Sequence, residues 1–183
     1  MIKPVLRFLS SALLAVSCAA AGAQTYPQRP ITLVVPFAAG SGTDAVARVV
    51  ADKLAARLQQ PVIIDNRAGA NAQIGVEHAA KAAPDGYTLL MTTATSHSVN
   101  PALYKSLRYD PIRDFTPIGR TGILPFVVTV RPSLPVKNIR ELIDYAKANP
   151  GKVSFAASNS TSMLASEALA KMANAEMINV TYK

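Results

Sequence analysis

Ile31-Thr-Leu-Val-Val-Pro-Phe-Ala-Ala-Gly-Ser-Gly-Thr-Asp44 is the segment that predicts the fold of this chain most clearly. Its first five residues form a short, β-branched run that is typical of a buried strand. A loop follows from Pro36 to Gly42, and Thr43 or Asp44 is then predicted to cap a helix. A strand, a glycine-rich corner and a helix in this order are the beginning of a βαβ unit.

The same alternation continues along the chain. Apolar runs predict further strands at residues 62–64, 87–91, 126–130, 153–155 and 177–180. Helical periodicity predicts helices at residues 74–82, 138–148 and 162–173, and a loop with one short helix at 100–117. Strands separated by helices of this length form right-handed crossovers. The sequence therefore predicts an α/β fold with mainly parallel sheets.

The second half of the chain supplies less structure than the first. From about Arg131 to Lys183 it offers only two strands and two helices, which bury too little surface to stand alone. We therefore expect either a fragment of a longer two-domain protein or a domain that is stable only when it packs against the first. The stiff segment around Pro132 and Pro135 is the predicted crossover between a unit at 24–125 and one at 126–183.

Charge and composition exclude one large class of partner. The 183 residues include 19 Lys and Arg against 11 Asp and Glu, a net charge of +8, and half of the residues are hydrophobic. The basic residues are dispersed along the chain, and the sequence has no Trp. A nucleic-acid-binding protein usually has a clustered basic stripe with aromatic residues that stack on bases. We therefore expect no nucleic-acid partner.

The first 23 residues predict the compartment. Two basic residues precede an apolar run from Phe8 to Val16, and Ala21-Gly-Ala23 forms a cleavage site, as in a secretory signal peptide. The run is shorter than the ~20 residues that span a bilayer, so we expect an exported protein that is not itself membrane-spanning. Lipid attachment at Cys18, the single cysteine, is the less favoured alternative. Cleavage would remove that cysteine and exclude disulfides and a thiol nucleophile.

Three loops rich in Gly, Ser and Thr follow predicted strands, at residues 38–44, 92–100 and 157–162. The first and third open helices, whose first N–H groups attract anions. In open α/β sheets, ligands bind beyond the carboxyl ends of the strands, where such loops converge. The loops offer neutral hydrogen bonding that suits a small carboxylate. The alternative that remains open is that each loop is only a well-capped turn.

The residues also resemble a known family. The segment from Tyr26-Pro-x-Arg-Pro to Gly-Thr-Asp44 is similar to the opening of the tripartite tricarboxylate transporter solute-binding proteins, the Bug family of periplasmic receptors. The resemblance continues through Val62-Ile-Ile-x-Asn66-Arg67, the segment 82–90, Asn100-Pro-x-Leu-Tyr104 and Ala156-x-Ser158. It implies a periplasmic-binding-protein-like (type II) architecture of two α/β lobes, with the second lobe incomplete here. It also implies a monomeric, cofactor-free receptor that captures a small carboxylate for a membrane permease.

The resemblance further implies a ligand site. Carried over by position, the ligand-binding residues are Phe37, Ala38, Gly40, Ser41, Gly42, Thr43 and Asp44 of the first loop, Thr93, Thr95, Ser96 and His97 of the second, and Ser158, Asn159, Ser160, Thr161 and Ser162 of the facing lobe. Two features depart from the family pattern. The first loop reads Ala39-Gly-Ser-Gly42 where Pro-Gly-Gly-Gly is common, and Met163 stands where His is frequent. These departures bear on which carboxylate is bound.

A dinucleotide-binding oxidoreductase is the alternative function. Gly40-Ser-Gly-Thr-Asp-Ala45 matches the G-x-G-x-x-A fingerprint for NAD(P), and Asp65 lies where a ribose-binding acid would. Residues 36–39 intervene between the strand and the first glycine, however, which spoils the tight turn. The G-x-S-x-G elbow of a serine hydrolase does not occur in the sequence. His78 and His97 have no acidic cluster beside them that could complete a metal site. We expect neither catalysis nor a metal.

Overall fold

A parallel sheet of three strands forms the first half of the molecule. The computed structural model describes residues 26–180, so the predicted leader and Cys18 lie outside the described residues. The strands are β1 (Ile31–Val35), β2 (Val62–Asn66) and β3 (Thr88–Leu90), in the order β2-β1-β3. Leu33 is opposite Ile64 on one side and Leu89 on the other. Because all three strands run the same way, the loops that follow them leave the sheet at one edge.

Helices cover both faces of this sheet. Helix α1 (Gly42–Leu58) joins β1 to β2, and helix α2 (Gln73–Ala80) joins β2 to β3. Alternate strand residues point to opposite faces. On one face a buried cluster contains residues of β1, α1 and the end of β3, namely Leu33, Val35, Ala47, Ala51 and Met91. On the other face Val76 of α2 packs with Ala72 and Tyr109. The predicted α/β pattern is confirmed here.

After β3 the chain forms a π-helical turn at Thr95–Val99 and a short helix α3 (Asn100–Leu103). The sequence predicts a hydroxyl-rich loop followed by one short helix in this region, and the π-helical turn is the difference. A π-helical turn shifts the hydrogen bonds of the backbone to i→i+5, and such turns occur frequently at functional sites.

A second, smaller sheet lies in the second half. It pairs β4 (Val153–Phe155) and β5 (Met177–Asn179) in parallel, and helices α4 (Ile139–Ala148) and α5 (Ser160–Met172) precede and connect them. Its buried core consists of only Ala146, Val153 and Ala175. Asn138 caps α4 by accepting a hydrogen bond from the Glu141 amide, and the Glu141 carboxylate accepts one from the Lys137 amide. Both sheets are parallel, as the pattern of elements predicts.

The strand predicted at residues 126–130 is wrong. The chain from Gly119 to Val130 has no regular secondary structure, and it pairs with none of the described strands. Its apolar side chains face solvent: Ile123 is 76% exposed and Val127 is 78% exposed. A β-branched run favours extended backbone, but a strand also needs a neighbour to satisfy its N–H and C=O groups. The local sequence favours a strand here, but no described strand lies beside the run to pair with it.

Among residues 26–180, no helix combines the length and the apolar character that crossing a membrane requires.

Candidate functional site

The first loop is organised by a helix cap. Ser41 is the N-cap of α1, and its Oγ accepts a hydrogen bond from the Asp44 amide at 3.2 Å. The prediction that Thr43 or Asp44 caps this helix is therefore wrong by two or three residues, because the helix already begins at Gly42. Gly40 has φ of +81°, a backbone conformation that L side chains rarely adopt. The glycine lets the chain turn from β1 into the helix.

Asp44 holds this loop together from inside the first turn of α1. Its carboxylate accepts hydrogen bonds from the Gly40 amide at 2.8 Å, from Arg48 Nε at 2.9 Å and from Asn66 Nδ2 at 3.0 Å. The residue is 2% exposed. The Arg48 guanidinium, followed by the Gly40 amide and Asn66, lowers the pKa of Asp44 from 3.8 to about 2. Asp44 is therefore an ionised group whose acceptor positions are occupied within the fold.

Asn66 is a residue of this site that sequence reasoning left out of the predicted set. It ends β2, next to β1 in the sheet, and its Nδ2 donates to the Phe37 carbonyl at 3.2 Å as well as to Asp44. The signal that could have found it is an amide side chain at the carboxyl end of the neighbouring strand. One side chain thus links the start and the end of the first loop across the sheet edge.

The second loop is a chain of side-chain hydrogen bonds. The hydroxyls of Thr92 and Ser96 share a hydrogen bond of 2.6 Å, and Ser96 Oγ lies 2.9 Å from His97 Nδ1. Tyr109, also absent from the predicted set, donates its hydroxyl to the Ser96 carbonyl at 2.8 Å. Burial lowers the pKa of His97 below 6.5, and its ring packs against Phe115 with centroids 5.0 Å apart. The imidazole is therefore neutral at pH 7 and supplies no fixed positive charge.

The third loop is a capping box at the start of α5. The Asn159 side chain accepts hydrogen bonds from the amides of Thr161 and Ser162, and the Ser162 hydroxyl accepts one from the Asn159 amide. Such a box fixes the loop against its own helix. The third loop is a well-capped turn, and the hydroxyl of Thr161 is directed away from the box to another loop.

The second and third loops meet. Thr95 Oγ1 shares a hydrogen bond of 2.8 Å with Thr161 Oγ1 and donates to Asn159 Oδ1 at 3.4 Å. Ser160 donates to Asn100 at 2.9 Å in the same region. The structure therefore brings together hydroxyls that are more than 60 residues apart in the chain and belong to different sheets.

The first loop joins this group through apolar packing. Phe37 packs against both buried clusters of the first sheet, and one of these clusters also includes Tyr109 and Phe115. β1 and β3 are adjacent, so the loops that follow them start side by side. Among the hydrogen bonds of residues 26–180, none links the first loop directly to the third. The first loop thus flanks the hydroxyl pair that Thr95 of the second loop forms with Thr161 of the third.

The predicted site residues differ in accessibility. The exposed ones are Ala38, Gly40, Gly42 and Ser158. The half-buried ones are Phe37, Ser41, Thr93, His97, Asn159, Thr161 and Ser162. The buried ones are Thr43, Asp44, Thr95, Ser96 and Ser160. The exposed and half-buried groups offer backbone amides and neutral hydroxyls, which can donate hydrogen bonds to an anion without a proton transfer.

Two further facts bear on the chemistry of the region. Asp65, the acid of the dinucleotide fingerprint, is paired with Arg67 Nε at 2.6 Å. Within the described part of the chain, no group of three or more His, Cys, Asp or Glu residues is placed to hold a metal ion.

Asp44 makes the stability of the first loop sensitive to acid. Its pKa is lowered in the folded state, so the ionised form stabilises the fold fully above about pH 4. That stabilisation is lost as the pH falls through about 2. We expect the free energy of unfolding, measured by urea titration between pH 5 and 2, to fall more steeply for the native chain than for the Asp44→Asn variant. Parallel curves would contradict the role assigned to this carboxylate.

Comparison with known sequences connects this geometry to a family. Residues 46–183 match the family described as tripartite tricarboxylate transporter family receptor. Protein BugT of Bordetella pertussis is 43% identical over 135 residues, which make up 73% of this chain and 41% of BugT. The chain spans about half the length of the curated relatives it matches.

Solved structures agree with the sequence match. The structure of R. palustris Rpa4515 with adipate superposes with a TM-score of 0.80 at 38% identity. MatC (Rpa3494) from Rhodopseudomonas palustris, with bound malate, superposes with a TM-score of 0.77 at 31% identity. Each alignment covers 86% of this chain and 54% of the other. The predicted fold, α/β with parallel sheets as in periplasmic binding proteins, is confirmed, and the chain belongs to the tripartite tricarboxylate transporter receptor family.

Proposed function

We propose that this chain binds a small carboxylate as the capturing element of a solute receptor. The observation that carries the proposal is the hydroxyl pair of Thr95 and Thr161, 2.8 Å apart, where loops of two parallel sheets meet. Such strand-to-helix corners are where α/β proteins bind ligands. The two structural neighbours described above hold adipate and malate, which are both dicarboxylates. The substrate class of this chain is accordingly a mono-, di- or tricarboxylate or an amino acid.

The electrostatics suit an anion held by neutral donors. The one buried carboxylate of the region, Asp44, is paired with Arg48 and repels an incoming anion little. The N-termini of α1 and α5 supply amide dipoles that favour negative charge. A carboxylate bound by oriented hydroxyls and amides needs no nucleophile and no general base. The proposal is therefore binding without catalysis and without a cofactor, and the comparisons favour no oxidoreductase.

The cellular setting belongs to the same proposal. We infer export by the leader at residues 1–23, with the site formed between a lobe at 24–125 and a lobe at 126–183. A ligand that contacts both lobes favours the state in which they are close together. That state would be the one recognised by membrane permease subunits in the periplasm, with the receptor acting as a monomer. The family match supports this arrangement.

The test is a binding screen on the purified chain. Isothermal titration with malate, adipate, citrate and glutamate is expected to detect one or more ligands, and NAD and NADP are expected to give no heat. Thr161→Val keeps the shape of the side chain and removes the half-buried hydroxyl that pairs with Thr95. We expect it to weaken carboxylate affinity about tenfold, because a hydrogen bond to a charged group contributes about 1.5–3 kcal/mol.

The matched control is Thr116→Val, which makes the same change at an exposed position outside the site. It is expected to bind as the native chain does. If no carboxylate bound, or if a nicotinamide dinucleotide bound instead, the proposed function would be wrong.

A further inference from the structure

Asn100 lies at a junction of three segments and was not among the predicted site residues. Its side chain is fully buried, with an exposed fraction of 0%. Its Nδ2 donates to the Asn71 carbonyl at 2.8 Å, and its Oδ1 accepts from Ser160 Oγ at 2.9 Å. The segments joined are the loop before α2, the end of the π-helical turn and the first residue of α5. One amide thus connects both sheets of the molecule.

The direction of these hydrogen bonds is fixed by chemistry. A backbone carbonyl can only accept, so the Asn100 amide must present its NH₂ group to Asn71. Its oxygen then faces Ser160, whose hydroxyl must donate. Ser160 is itself 1% exposed, and water therefore does not compete for this bond. Neither side chain can turn round without leaving a buried polar group unpaired, which makes the connection rigid.

Asn100 is also tied to the hydroxyl pair. The backbone N–H of Asn100 donates to the Thr95 carbonyl and closes the π-helical turn. Ser160 is next to Thr161 in the first turn of α5. The Asn100–Ser160 bond therefore connects a residue bonded to Thr95 with the residue that precedes Thr161.

We propose that Asn100 is a positioning residue, which sets the distance between the two halves of the carboxylate site through its buried bond to Ser160. This inference rests on the function proposed above. A carboxylate that enters between Thr95 and Thr161 replaces their mutual hydrogen bond. The Asn100–Ser160 bond is more deeply buried than the Thr95–Thr161 bond, and it keeps the two loops at a fixed separation while that exchange takes place. Asn100 touches no ligand in this arrangement and acts through Ser160.

The experiment uses Ser160→Ala, which removes only the donor hydroxyl, and Ser154→Ala, its matched control on the exposed side of β4. Malate affinity is measured by isothermal titration at a temperature where circular dichroism shows both variants folded. We expect Ser160→Ala to weaken affinity about tenfold and Ser154→Ala to leave it unchanged. In an Asn100→Ala background, the Ser160 substitution should cost no further affinity, because the bond is already absent.

Native-like affinity of Ser160→Ala for malate would overturn the positioning role and leave the receptor function standing. If the native chain bound no carboxylate, the receptor function would fail, and the junction would be tested without ligand. Hydrogen exchange at the amides of residues 95–99 is then the readout. Faster exchange in Ser160→Ala than in Ser154→Ala would support coupling between the two halves, and equal exchange would overturn it.

Discussion

Replacing Asp44 with asparagine is expected to reduce carboxylate affinity by more than tenfold, the largest loss that a single polar substitution should cause in this chain. The change keeps the side-chain size but removes the charge that holds Arg48 and the Gly40 amide. The amide group of the new side chain would also face the donor Asn66. The first loop then loses the acceptor around which it folds. Isothermal titration with malate measures the effect.

A matched control lies on the same helix. Asp52→Asn removes an exposed carboxylate two turns further along α1. Gly40 and Asn66 form their hydrogen bonds with Asp44 and not with Asp52. The Asp52→Asn variant is expected to retain native affinity, which separates the specific role of Asp44 from a general change of charge on this helix. Equal losses in the two variants would mean that the first loop does not depend on the Asp44 carboxylate.

Replacing Gly75 with alanine is expected to have the largest effect on folding. Gly75 lies in α2, and a Cβ there would be 2.8 Å from the Arg67 carbonyl oxygen and from Cα of Pro36. Both atoms belong to backbone just beyond the ends of β2 and β1, so helix and loop must separate. We expect a loss of about 1–3 kcal/mol in the free energy of unfolding. Urea unfolding followed by circular dichroism measures it.

The sign of this effect is diagnostic. In an open helix, alanine in place of glycine would stabilise the chain by about 0.5–1 kcal/mol. The control is Gly119→Ala, since a Cβ at Gly119 meets no atom within 4 Å. That variant is expected to change stability by less than about 0.5 kcal/mol. Stabilisation by Gly75→Ala would show that α2 does not approach Pro36 as closely as described.

The regular part of the fold could be predicted because its causes are local. The run Ile31–Val35, the helical spacing of apolar residues in α1 and the Asn138 cap each carry their own signal, and the order of the elements implies parallel sheets. The helix cap at Ser41 was missed because several cap-forming residues stand together there, so propensity alone does not choose among them. The π-helical turn has no sequence signature of comparable strength.

The candidate site could be predicted only as a set of loops. Hydroxyls and glycines after strands indicate where donors occur, and the resemblance indicates which loops face the ligand. The partners of those donors are set by long-range contacts, such as Asn66 to Phe37, Tyr109 to Ser96 and Asn100 to Ser160. Each of these hydrogen bonds joins residues that are distant in the sequence, so it forms only when the whole fold brings them together. Asn66 and Asn100 belong to the motif that carries the family resemblance, yet only the structure shows which groups they contact.

The apolar side chains of residues 119–130 are exposed, and this exposure favours association between chains at high protein concentration. The run Phe126–Val130 is exposed and rich in β-branched side chains, and such a run is a template on which another polypeptide can add as a strand. These five residues would reach about 17 Å when fully extended, and Pro125, which has no N–H to donate, ends an intermolecular ladder on their N-terminal side. Arg120 is the only charge between Gly119 and Val130, which is little electrostatic protection against self-association. Self-association through this run would therefore increase with the concentration of the chain.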